Sequence, residues 1–165
     1  MPALSAGTKA PDFTLPSTDG KKFSLKDALS QGPVVAFFFK ISCPVCQYTG
    51  PFIERLYKAK SNSNVTIVGI SEDNLRDTKA FMEEYGLTFP VALDEIPTYP
   101  VSNAYGLTNV PTLFWIDPVG EIELSTVGWS RADVEEIHRR ILEAKGDGEV
   151  PLFQPGESVT DFRAG

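Results

Sequence analysis

Six consecutive apolar residues, Val34-Val35-Ala36-Phe37-Phe38-Phe39, run almost directly into a C-x-x-C pair, Cys43-Pro44-Val45-Cys46. An unbroken apolar run of this length predicts a central strand covered on both faces. The pair then reads as the start of a helix. Both cysteines of the chain lie here. Thiols at this spacing close a small, strained ring, which suits a disulfide that is made and broken rather than one that staples a fold.

Bulk properties narrow the alternatives. A chain of 165 residues, 42% hydrophobic and 22% charged, fits one soluble domain with a sizeable core. Two cysteines are too few for a disulfide-stapled secreted scaffold. A net charge of −7 with no basic run argues against nucleic acid as a partner. No apolar run reaches membrane-spanning length. Residues 1–9 carry neither an apolar core of signal-peptide length nor a charged leader, so the expected location is cytoplasmic.

Alternation at residues 12–15 and 22–25, around Asp19-Gly20, predicts an N-terminal β-hairpin. Ser24 is placed to cap a short helical turn over residues 25–29, stopped by Gln31-Gly32-Pro33. After the cysteines a helix is expected over residues 44–60, interrupted and kinked at Gly50-Pro51. Strands follow at residues 65–71 and 89–93, and helices at 74–85 and 99–105, each ending at glycine. Residues 112–117 and 121–127 form a second hairpin at a sheet edge. Trp129-Ser130 opens the last helix, and Ser130 with Asp133 has capping-box-like spacing. Strands alternating with helices indicate a layered α/β fold. Residues 147–165 carry no periodic pattern. They are expected to form an extended strap or a disordered tail, with Leu152 and Phe153 as anchors if it docks.

This order of elements resembles the thioredoxin-like superfamily. Within it, Gly7-x-x-Ala10-Pro11-Asp12-Phe13 with Thr18-Asp19-Gly20 is similar to the opening hairpin of the redoxin group. That group includes alkyl hydroperoxide reductase/thiol-specific antioxidant (AhpC/TSA) proteins and TlpA/ResA-like thiol-disulfide oxidoreductases. The resemblance implies a central mixed sheet flanked by helices over residues 1–146, with a strand-helix insertion between Ser71 and Asn109. It matches Cys43 and Cys46 to the redox pair, Pro51 to the kinking proline, and Val110-Pro111-Thr112 to a segment whose cis proline faces the disulfide. Three positions depart from the pattern. Ser42 stands where tryptophan is frequent, Phe37 where thioredoxin carries a buried acid, and Thr49 where ResA-like proteins carry glutamate.

Cys43, at the helix mouth, has unpaired N–H groups and the helix dipole to favour its thiolate. It is the expected nucleophile, and Cys46, one turn deeper, the expected resolving thiol. Ile41, Pro44, Val45, Val110 and Pro111 are candidates for an apolar collar that holds a partner's extended segment, or for plain loop packing. Lys40 reads as a solvated strand-end lysine and Glu72 as a surface carboxylate or, less simply, a proton carrier. His138 fits an exposed helix face, and Trp115 and Trp129 fit the core. The leading activity is thiol-disulfide exchange with protein thiols or disulfides, with electrons from an external donor such as a thioredoxin/reductase system. A peroxidase of the peroxiredoxin type is the alternative, although neither cysteine register keeps P-x-x-x-T/S-x-x-C. Zinc or copper binding would need ligands beyond one C-x-x-C and a single histidine. Nothing indicates a bound cofactor.

Overall fold

The computed structural model describes residues 3–146 and 150–165. Strands β1 (Thr14–Pro16) and β2 (Lys22–Ser24) form the N-terminal hairpin. Ser24 Oγ accepts the Asp27 N–H and starts α1 (Leu25–Leu29). The apolar run is β3 (Val34–Phe39), and all six of its residues are fully buried. Helix α2 (Pro44–Ala59) follows, then β4 (Thr66–Ser71) and α3 (Leu75–Tyr85), which is capped by left-handed Gly86. The remaining elements are β5 (Val91–Leu93), α4 (Pro100–Ala104), β6 (Thr112–Ile116), β7 (Ile122–Val127), β8 (Trp129–Ser130), α5 (Arg131–Lys145) and β9 (Phe162–Arg163).

The main sheet has five strands in the order β5-β4-β3-β6-β7. β3 lies at its centre, parallel to β4 and antiparallel to β6. Alternate side chains of β3 feed two cores, as the strand period requires. Val35, Phe37 and Phe39 join Phe52, Ile53 and Leu56 of α2, Phe81 of α3, and Val134, Ile137 and Ile141 of α5. Val34, Ala36 and Phe38 face Leu25, Val101, Tyr105 and the N-terminal Phe13 and Leu15. Phe37 stacks on Phe39 at 5.1 Å between ring centres and meets the edge of Phe89 at 6.2 Å. A sheet covered on both faces leaves its loops at the strand ends to carry chemistry.

Three expectations are corrected. α2 is one continuous helix through Gly50-Pro51. Trp129-Ser130, expected only to open the last helix, is a strand paired with Phe162–Arg163 far along the chain, while Ser130 still caps α5. The capping box at α5 is half made: Ser130 Oγ accepts the Asp133 N–H, while the Asp133 carboxylate takes the Thr126 hydroxyl instead of reaching back.

Residues 150–165 lie on the body of the fold; the start of the expected tail, at 147–149, is outside the described residues. Leu152 is buried, and Phe153 packs edge-on to Phe52 with the Arg131 guanidinium over its ring. Arg55 grips Glu157 through two 2.8 Å hydrogen bonds and also donates to the Leu152 carbonyl. Trp129 Nε1 donates to the Thr160 carbonyl at 2.6 Å, and the Thr160 N–H donates to the Tyr48 hydroxyl. Among the described residues no helix is long and apolar enough to cross a membrane.

Phe37→Ala removes a fully buried ring. The expected loss is about 3–5 kcal/mol, a fall in Tm on the order of 10 °C by circular dichroism. Arg55, and after it the Gln154 N–H, hold the Glu157 carboxyl down at about 2 from an ordinary 4.5. The folded value lies below the unfolded one, so the clamp stabilises the docked tail above about pH 4.5. That contribution fades as pH falls toward 2. Relative to β3, amide exchange at residues 160–163 is expected to accelerate over that window, and already at neutral pH in Glu157→Gln.

Candidate active site

The loop after β3 carries the chain from the sheet to α2. Two side chains hold it: Asp73 Oδ2 accepts the Ile41 N–H at 2.8 Å, and Gln47 Nε2 donates to the Ile41 carbonyl at 2.9 Å. Cys43 is the N-cap of α2, and its Sγ accepts the Cys46 N–H at 3.3 Å. The sulfur therefore rests against a backbone donor at the first turn of α2. On its other side the Cys43 thiol donates to the Val110 carbonyl at 3.4 Å. The topology explains this contact: β6 lies beside β3 in the sheet, so the residues leading into β6 arrive at the end where α2 begins.

The two thiols are free and lie in different environments. Cys43 is half-buried and Cys46 fully buried. Burial pushes the Cys46 thiol well above its ordinary value, and neighbouring Cys43 and Glu72 add to the push. A hydrogen bond with the Lys40 backbone works in the opposite direction. The shallow sulfur is therefore the more accessible of the pair, and burial favours the protonated form of the deep one.

Of the other residues singled out from sequence, Ile41 and Val110 are half-buried and pack with Cys43 against the core; Pro111 is buried, and the Val110–Pro111 peptide is cis. Pro44 is exposed at the first turn of α2. Phe37 and Thr49 stand inside the fold: Phe37 is stacked in the core, and the Thr49 hydroxyl is committed to the Val45 carbonyl at 2.7 Å.

Glu72 differs from the surface carboxylate expected. Its side chain is 10% exposed and pairs with Lys40 Nζ at 3.7 Å. The reason is topological: β3 and β4 are parallel neighbours that end level, so the residues just beyond them are side by side. The two line a polar cavity of about 240 Å³ with Tyr99, Ser102, Asn109 and Val110. A larger hollow of about 470 Å³, beside Tyr57, Lys79 and Phe89, is lined by neither thiol. His138 is half-buried, with Nε2 shielded and unpaired among the described residues, in place of the exposed face expected. No cluster of three or more His, Cys, Asp or Glu side chains that could hold a metal occurs among the described residues.

The AhpC/TSA family profile matches residues 6–125. The chain belongs to the AhpC/TSA family. Thiol-disulfide oxidoreductase ResA of Bacillus subtilis is 34% identical over 160 residues, which span 94% of this chain and 80% of that protein. A thiol:disulfide interchange protein of the thioredoxin family from Chlorobium tepidum superposes with TM-score 0.69 and 30% identity, over 85% of this chain and 99% of its own. Peroxidoxin BcpB from Mycobacterium tuberculosis does so with TM-score 0.70 and 26% identity, over 86% and 97%. The fold of this AhpC/TSA member is thioredoxin-like, as its sheet order and its neighbours agree.

The contrast between the thiols has a direct consequence. Iodoacetamide at pH 8 should alkylate Cys43 on the order of ten times faster or more than Cys46, as read by peptide mass mapping. Equal labelling would mean that Cys46 is not shielded.

Proposed function

We propose that this chain is a thiol-disulfide oxidoreductase in which Cys43 attacks and Cys46 resolves. The observation that carries the reading is the half-buried Cys43 sulfur at the N-cap of α2, with the Cys46 N–H aimed at it and Cys46 itself buried one turn deeper. Relatedness to ResA and to a thiol:disulfide interchange protein supports it.

The reaction follows from these positions. The Cys43 thiolate attacks one sulfur of a substrate disulfide. That S–S bond breaks, a mixed disulfide forms, and the released substrate thiolate takes a proton. Cys46 loses its proton and attacks the Cys43 sulfur, releasing the second substrate thiol. The substrate gains two electrons and two protons, and the protein is left with the Cys43–Cys46 disulfide. An external dithiol donor, such as a thioredoxin/reductase system, would return it to the thiol form. Ile41, Pro44, Val110 and Pro111 frame the attacking sulfur as the proposed substrate collar. Residues 1–146 form the proposed catalytic domain and residues 147–165 its extension. A cytoplasmic setting is part of the proposal, supported by cysteine content confined to the reactive pair.

A second reading, reduction of hydroperoxides by the same pair, is favoured by family membership and by the likeness to a peroxidoxin. Against it, no hydroxyl stands in the peroxidatic register, and the nearby Thr49 and Thr112 hydroxyls are committed to the Val45 and Asn109 carbonyls.

Cys46→Ser is expected to accumulate a mixed disulfide with substrate on a non-reducing gel, and Cys43→Ser to accumulate none; the reverse result would invert the roles. Stopped-flow oxidation of the reduced protein by hydrogen peroxide should run within about tenfold of a free thiolate at the same pH. A rate orders of magnitude higher would establish the peroxidase.

A further inference from the structure

Residues 162–165 lie against the segment that contacts the attacking cysteine. β9 pairs with β8, and the strand then crosses Gly128 so closely that a β-carbon there would collide with the Arg163 carbonyl. Arg163 lies over the Tyr48 ring at 5.0 Å. Gly165 comes to rest on the Val110–Pro111 peptide, where a β-carbon would run into the Val110 carbonyl oxygen. Asn109 Nδ2 donates to the Gly165 carbonyl at 3.3 Å. That Val110 carbonyl is also the acceptor of the Cys43 thiol. The attacking sulfur and Gly165 of the extension therefore meet at one carbonyl group.

The extension is held unevenly. Its first part is anchored by buried Leu152, by the paired Arg55–Glu157 hydrogen bonds and by Trp129 Nε1 on Thr160. Its tip has a two-residue ladder, one ring contact and one long hydrogen bond, and Phe162 is 61% exposed. A tip with few buried apolar contacts and exposed backbone opens locally while the rest stays folded. The Val110 N–H makes no hydrogen bond among the described residues, so this edge retains unused main-chain capacity beside the thiol. Extended polypeptide binds such edges through its backbone.

We propose that residues 162–165 are a built-in occupant of the substrate edge and set the size selectivity of Cys43. Small disulfides reach the sulfur with the tip in place. A disulfide within a polypeptide brings flanking backbone that needs the Val110 edge, so it reacts only with chains whose tip has lifted. This rests on the reading of Cys43 as the attacking thiol.

The test compares the full chain with a chain ending at Asp161 and with Gly165→Val, whose side chain cannot sit on the Val110 carbonyl. The shortened chain keeps Arg55–Glu157, Trp129–Thr160 and the Arg131 N–H to the Asp161 carbonyl. Reduction of insulin should accelerate about fivefold or more in both variants, because the apparent rate scales with the competent fraction. Reduction of 5,5′-dithiobis(2-nitrobenzoate) should stay within about twofold of the full chain. An unchanged insulin-to-small-disulfide ratio, or slower insulin reduction, overturns the proposal.

A readout independent of turnover uses the same two changes in a Cys46→Ser background, with Cys43 as the one thiol. A maleimide on a large polyethylene glycol should react faster when the tip is removed or displaced, and iodoacetamide equally fast. An unchanged ratio of the two reagents overturns the occupancy. A changed ratio in a chain inert toward both disulfides supports the occupancy and sinks the oxidoreductase reading instead.

Discussion

Complete burial of β3 on both faces is the constraint on which the rest depends. Its six side chains alternate between two separate cores, one beneath α2, α3 and α5, the other beneath α1, α4 and the N-terminal segment. Each of its Val and Phe side chains contributes about 1.5–3 kcal/mol of transfer free energy as an upper estimate, and slipping the strand by one residue would send each set of side chains into the core shaped for the other. The register is therefore firmly set, and so is the point where the chain leaves the sheet. The loop to Cys43 begins there, and its position is passed on through the Ile41 N–H, which donates to Asp73, and the Ile41 carbonyl, which accepts from Gln47.

The chemistry follows from the unequal depth of two sulfurs on one helical turn. Cys43 uses the free N–H groups of the helix start; Cys46 faces the apolar core that β3 helps to build. The same core suits an aromatic ring rather than an acid at position 37. Phe37 lies in a stack of aromatic rings where an unpaired carboxylate would be strongly penalised. Ionisable groups near the pair are instead at the strand ends, where Lys40 and Glu72 meet beside a polar cavity.

The extension after α5 adds a third layer of constraint. Its anchors are side chains scattered along the sequence: Tyr48, Phe52 and Arg55 on α2, Trp129 on β8 and Arg131 on α5. Trp129 is core by burial, yet its indole N–H is satisfied by the extension. One residue thus serves both the body of the fold and the strap laid over it.

Much of this was legible in the sequence because it depends on local periodicity. The order of elements, the N-caps at Ser24 and Ser130, the glycine stop at Gly86 and the C-x-x-C at a helix start each follow from neighbours in the chain. Helix α2 passed through Gly50-Pro51 without a break, because tertiary burial of Phe52, Ile53 and Leu56 outweighs the proline's lost hydrogen bond. The strand at Trp129-Ser130 was hidden because its partner lies more than thirty positions away. Apposition of Glu72 with Lys40, and of Gly165 with Val110, likewise joins residues distant in sequence. The sequence by itself determined a buried central strand and a thiol pair at a helix start, since hydrophobic pattern and capping act over a few residues. Which backbone lies against that thiol was decided only by the tertiary structure, because such contacts depend on how distant segments return to one sheet edge.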